Sequence, residues 1–313
     1  MKELLYRAYS ASPFCAAAWK LGGAGLRILT YHGVCADEFE GASWIPPYFV
    51  KRSCFEEQLQ YLVAHTQLLP LGEAVGLFMA GGLPERATAV TFDDGYANNL
   101  EIALPLLEKY SVPATIFLAT GHTRTGELLA FDRLRLVHIW EGGVATDEEL
   151  YSLPIDVLEE RFHTSWQNIR AEIPKPILRT LRPLVLAELK TFPPPLIEFG
   201  AHTRSHCILS NETPKRRQAE ILDSLSDIRE WTGRATPLFS YPTGAFEELD
   251  KRILAGHVLA AVTTKPGRNL ARSNLLELRR FTVTMKHTIE AFVAELTGLR
   301  TLLRSARAAF TGV

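Results

Sequence analysis

Cysteine and methionine are scarce in this 313-residue chain, with four and three copies. Cys15, Cys35, Cys54 and Cys207 are scattered, without a C-x-x-C pair. That spacing argues against a disulfide scaffold and against a thiolate zinc site, and it fits reduced thiols in a cytoplasmic protein. Three methionines are too few for a Met-rich docking surface. No stretch approaches the ~18 uninterrupted apolar residues of a membrane-spanning helix. An excess of charge of one sign is lacking too: 34 Lys+Arg against 35 Asp+Glu leave a formal charge of -1. That balance speaks against a nucleic-acid partner. What is present is 47% hydrophobic and 22% charged, the make-up of a globular chain rather than a disordered, collagen-like or coiled-coil one.

Near the N-terminus, Lys2 and Arg7 precede Phe14-Cys15-Ala16-Ala17-Ala18-Trp19. Polar residues and Pro13 interrupt the run and Lys20 closes it, which is too short for a signal peptide. Residues 1–25 read as an amphipathic lead-in that packs on the body or makes peripheral contact with a membrane surface. The rest, about 26–305, alternates apolar β-branched runs with helical patterns, as βα units around a parallel sheet do. The expected strands are Leu26–Tyr31, Ala89–Phe92, Ala114–Leu118, Leu196–Phe199, Leu238–Tyr241, Leu259–Thr263 and Leu276–Phe281. Ser53-Cys54-Phe55-Glu56 reads as a capping box for a helix to about His65. Thr213 and Pro214 open another, with Ile221, Leu225, Ile228 and Trp231 on one face and Gly233 as its stop. From about 121 to 195 no strand is convincing, and Pro154, Pro174, Pro176, Pro183, Pro193, Pro194 and Pro195 crowd the segment. It reads as a helical insertion, with a cap at Thr146-Asp147-Glu148-Glu149 and a helix from Asp156 to Ile173. The barrel is expected to fold without it, and the insertion to shape substrate access.

Polar residues fall at the C-terminal ends of the strands. His32-Gly33 follows the first, Asp93-Asp94-Gly95 the second, His202 and His206 the fourth, and Pro242-Thr243-Gly244 the fifth. In a βα barrel that end is where such residues converge. Two adjacent carboxylates repel, and one is expected to titrate high unless a cation stands between them. His202 and His206, at i and i+4, have the spacing of metal ligands if the segment is helical or turn-like. Cys207 would point elsewhere. His65, His122, His138, His163, His257 and His287 show no pairing, and His287 falls in an expected helix.

Taken together, Thr91-Phe92-Asp93-Asp94-Gly95, His202-Thr203-Arg204-Ser205-His206 and Ser240-Tyr241-Pro242-Thr243-Gly244 resemble the polysaccharide deacetylase family (NodB-homology domain, carbohydrate esterase family 4). The resemblance runs from about Ile28 to Phe281. It implies an α/β fold, a distorted (β/α) barrel. It also implies a divalent metal on Asp94, His202 and His206, with zinc the default over nickel, cobalt or manganese. Asp93 would be the general base, and the Thr243 N–H an oxyanion donor. Three positions depart from the family pattern. Ser240 stands where an arginine usually assists the base, and Thr243 where tyrosine is common. Leu276-Glu277-Leu278-Arg279-Arg280 lacks the usual histidine acid. His32 is the substitute expected for the acid, and Arg280 for the arginine. The implied activity is removal of N-acetyl groups from amino sugars of a polysaccharide or lipid-linked glycan. The alternatives are hydrolysis of a non-sugar amide or imide, and an inactive carbohydrate-binding barrel.

Overall fold

Six of the seven apolar runs noted above become strands because a parallel sheet covered on both faces buries consecutive residues, not alternate ones. The computed structural model describes residues 2–21, 25–142, 152–233, 238–300 and Leu303; the helix cap expected at Thr146–Glu149 lies outside them. Its strands are β1 (Arg27–Tyr31), β2 (Val34–Cys35), β3 (Val50–Lys51), β4 (Gln67–Leu68), β5 (Ala87–Phe92), β6 (Ala114–Leu118), β7 (Ile197–Ala201), β8 (Leu238–Ser240), β9 (Ala260–Val262) and β10 (Phe281–Thr282). All residues of β1, β5 and β6 are buried. The main sheet runs β10-β1-β5-β6-β7-β8-β9, parallel throughout, with β4 beside the start of β5. Its two edges meet in one short segment: Leu278 bridges Val262 of β9, while Phe281 and Thr282 pair with Leu29 and Thr30 of β1. The sheet thus curls into a distorted barrel.

That closing segment corrects the sequence reading. Leu275–Glu277 is a 3-10 turn, capped by the Asn274 side chain on Leu276 N–H, so strand pairing begins only at Leu278. The capping box is a second correction. The helix begins at Arg52, directly after β3, and Ser53 lies inside it. The Ser53 N–H and hydroxyl both donate to Asp37 Oδ1 at 3.0 Å, so the cap comes from a residue remote in sequence. The helix Pro214–Thr232 matches its reading, with Thr213 Oγ1 accepting from Arg216 N–H and Gly233 left-handed at φ 63°. Ile221, Leu225 and Ile228 are buried on its inner face. His287 precedes, and does not join, the helix Ile289–Leu296; its Nδ1 accepts from Thr284 N–H.

Between β6 and β7 lie the helices Thr120–Thr125, Ala130–Glu141, Ile155–Ile169, Lys175–Leu181 and Leu186–Leu189. This region packs on the loop after β5. Leu184 N–H donates to Gly95 O at 2.8 Å, and Ala97 N–H to Arg182 O at 2.9 Å. At the opposite end of the sheet, the helices Lys2–Ser10 and Pro13–Leu21 dock on the body. The Trp19 ring carries Arg27 at 4.8 Å and Arg86 at 5.4 Å, and these residues begin β1 and precede β5. Tyr9 OH donates to Thr297 Oγ1, and Arg27 Nε to Leu296 O. The four cysteines are free thiols, three of them buried.

Candidate active site

Strand register brings the candidate residues together. Tyr31 pairs with Phe92 and Leu118 with Ala201, so His32, Asp93 and His202 all leave the sheet at one mouth. The backbone there is forced. Asp94, Thr203, His206 and Thr243 account for four of the six non-glycine residues with positive φ among the described ones. Left-handed backbone is unfavourable for such side chains and concentrates where a site over-determines the chain. Gly95 follows with φ 72°, and a Cβ there would stand 2.6 Å from Leu118 Cδ2.

Asp93 and Asp94 share a peptide bond but face different partners. Arg280, fully buried, grips Asp93 with both arms: Nη1 donates to Oδ1 at 2.8 Å and Nη2 to Oδ2 at 2.6 Å. Its remaining N–H groups reach Thr91 Oγ1, Ser240 Oγ and Thr263 O. Burial pushes the Asp93 carboxyl up, but the Arg280 guanidinium, with His202 and His32, outweighs it and holds the group below its ordinary value. The serine at the family's arginine position is part of this arrangement. Ser240 accepts from Arg280 and lies 3.3 Å from Asp93 Oδ2, so the serine joins the pair made by an arginine from the barrel-closing segment. Both carboxyls titrate low, so neither shows the raised value that bare repulsion would give.

Asp94 Oδ1 lies 3.0 Å from His206 Nε2 and 3.4 Å from His202 Nε2. It is buried and makes no hydrogen bond. His202 Nδ1–H donates to Ser240 O at 2.7 Å, which leaves its Nε2 as a lone pair aimed at the carboxylate. Burial resists a charge on His202, but Asp93 and Asp94 together hold it above its ordinary value. Likewise burial raises Asp94, and the two histidines overcome this and draw it well below the carboxylate range. The donor atoms of Asp94, His202 and His206 all lie within 4.8 Å of one another. Three converging lone-pair donors around an orphaned carboxylate oxygen fit a divalent cation. The two histidines reach it from an irregular loop rather than a helix face.

His32 is half-buried, with Nδ1 lacking a hydrogen-bond partner and its ring 4.8 Å from that of Tyr48. Burial, opposed by Asp94 and Asp93, lowers its pKa below the histidine norm. Thr243 lies exposed in the turn Pro242–Gly244 at φ 58°. Sequence reasoning missed Asp132, from the helix Ala130–Glu141. It is buried, accepts from Tyr96 OH at 2.8 Å, and is raised to about 7, chiefly by burial. Its neighbour Phe131 packs edge-on against His206 at 5.7 Å. His122, read as unremarkable, is buried and pushed to about 4 by burial, with Nε2 3.4 Å from Ser205 O.

Comparisons with known proteins point to one family. A family model described as polysaccharide deacetylase matches residues 80–150 and 186–259. The poly-beta-1,6-N-acetyl-D-glucosamine N-deacetylase of Staphylococcus aureus is 38% identical over 85 residues, 27% of this chain and 29% of that protein. The aligned segment therefore spans less than a third of that relative. Bacillus subtilis YxkH is 24% identical over 284 residues, 88% of this chain and 78% of that one. Among solved structures, the Streptococcus pyogenes deacetylase PplD in complex with acetate superposes with a TM-score of 0.63 at 21% identity. That match covers 88% of this chain and 99% of the other, a likeness of fold.

Proposed function

Because the chain belongs to the polysaccharide deacetylase family, we propose that it hydrolyses the N-acetyl group of an amino sugar within a glycan, releasing acetate. The observation that carries this reading is the pairing of a cation site (Asp94, His202, His206) with a separately tethered carboxylate (Asp93) at one barrel mouth. Asp94, His202 and His206 would hold a divalent cation, zinc by default, which would lower the pKa of bound water and polarise the amide carbonyl.

The remaining chemistry belongs to the side chains. Asp93 accepts the proton of the attacking water. Its Oδ2 takes bonds from Arg280 and Ser240, so Oδ1, with one bond from Arg280, keeps a lone pair free for the task. Arg280 positions this base and keeps it ionised. The Thr243 N–H serves the developing oxyanion, a contribution of about 3 kcal/mol where such donors have been removed. His32 returns a proton to the leaving amine. Burial lowers the histidine's pKa, so it acts as an acid only after receiving a proton, and the one that Asp93 takes from the water supplies it. Among the described residues no helix is long and apolar enough to cross a membrane.

The test is acetate release from an N-acetylated glucosamine oligomer, with and without a chelator. Release that the chelator stops and zinc restores supports the reading. A protein that binds the oligomer without releasing acetate would instead be an inactive carbohydrate-binding barrel.

A further inference from the structure

The loop joining His202 to His206 has no regular structure of its own. Thr203 and His206 hold φ of 58° and 56°, conformations that persist only when neighbours fix them. The neighbour on one side is Glu220, on the helix Pro214–Thr232, a buried carboxylate at 4% exposure. Its Oε2 accepts Arg204 N–H and Ser205 N–H, each at 2.8 Å, and Oε1 accepts the Ser205 hydroxyl at 2.9 Å. Arg216 Nε stands 3.0 Å from Oε1. On the other side the loop's carbonyls are taken up: Thr120 N–H donates to Thr203 O at 3.1 Å and Gly121 N–H to Arg204 O at 2.7 Å. The Thr120 hydroxyl is itself held by Asp227 at 2.7 Å, on the same helix as Glu220. A Cβ at position 121 would stand 2.7 Å from Arg204 O, so this close approach requires glycine.

A buried glutamate is costly in a helix unless its oxygens are bonded, and here three of its bonds go to the two residues midway between the histidines. We infer that Glu220 is a positioning residue for the cation site. By seizing the amides of Arg204 and Ser205, it fixes the separation of His202 and His206 and so sets the affinity of the site for its metal. The inference rests on the metal-centre reading above, and it adds a residue that touches neither metal nor substrate.

The experiment measures Zn²⁺ affinity of the full chain by chelator competition, alongside melting of the metal-free protein and the visible spectrum of the Co²⁺-loaded form. Glu220→Ala is expected to weaken Zn²⁺ about 10–100-fold, the range for lost outer-shell partners, and to alter the Co²⁺ spectrum. Glu220→Gln should restore most of the affinity, because one oxygen already receives both amides. Gly121→Ala, which presses on Arg204 O from the opposite side, should weaken binding in the same direction. Parental affinity in Glu220→Ala overturns the inference. If Glu220→Ala does not fold, parental affinity in Gly121→Ala overturns it instead, and a weakened site there supports the clamp. A parent chain that binds no Zn²⁺ removes the metal-centre reading itself, a distinct result from variants that bind as the parent does.

Discussion

Arg280 has five N–H groups, and the barrel interior accounts for each: two on Asp93 and one each on Thr91, Ser240 and Thr263. Breaking a buried pair by removing one partner strands the other charge, at a cost of about 3–5 kcal/mol. Arg280→Met should therefore lose stability of that order in urea unfolding. In the parent, Asp93 titrates below its unfolded value, so its stabilising contribution is present above that value and disappears as pH falls through the folded pKa. In the variant the order reverses. Burial without the arginine raises the carboxyl, and lowering the pH relieves the stranded charge, so the stability gap should narrow in acid. The acidic limb of kcat/KM should move to higher pH. An unmoved limb would show that Arg280 does not govern the base. Asp93→Asn makes the complementary test. It should retain Zn²⁺, since Asp93 is outside the ligand set, and lose turnover, since an amide accepts no proton there. Metal analysis beside an acetate assay reads both, and lost zinc would reverse the two aspartates' roles.

Among the elements, legibility followed length. β1, β5 and β6 are unbroken buried runs, and any reading of apolar pattern finds them. The two-residue strands β2, β3 and β4 carry no period to detect. The cap on Ser53 is not legible locally, because Asp37 supplies it across sixteen positions and no local motif encodes that. The site divided the same way. Asp93, Asp94, His202 and His206 stood out because they follow strands. Glu220 did not, since its neighbour Ile221 explains the helix face without it; a carboxylate beside a buried apolar stripe was the available signal. The region between β6 and β7 changes the expectation most. Its Leu184 and Arg182 bond Gly95 and Ala97, and Ile155, Leu158 and Phe162 join the main apolar core. Replacing residues 126–193 with a short Gly/Ser linker should therefore abolish cooperative melting rather than leave a folded barrel. A sharp thermal transition in that variant would restore the view that the segment is dispensable.

At the scale of the whole molecule, a cation that binds only the native state adds stability by mass action, about 2.7 kcal/mol at a hundredfold excess over Kd. Zn²⁺ should raise the melting temperature of the parent, EDTA should reverse this, and Asp94→Ala should respond to neither. Equal shifts in parent and variant would locate the zinc elsewhere.

Parallel strands also give the molecule two unlike poles. The helices Lys2–Ser10 and Pro13–Leu21 gather where the strands begin, with Leu4 and Phe14 exposed, and the candidate site opens where the strands end. Any bead, sensor chip or bilayer that captured the chain by those helices would hold it with the mouth turned outward. An immobilised preparation should then keep its access to long, dissolved chains, while a substrate anchored in the same surface would have to reach around the barrel to be cut.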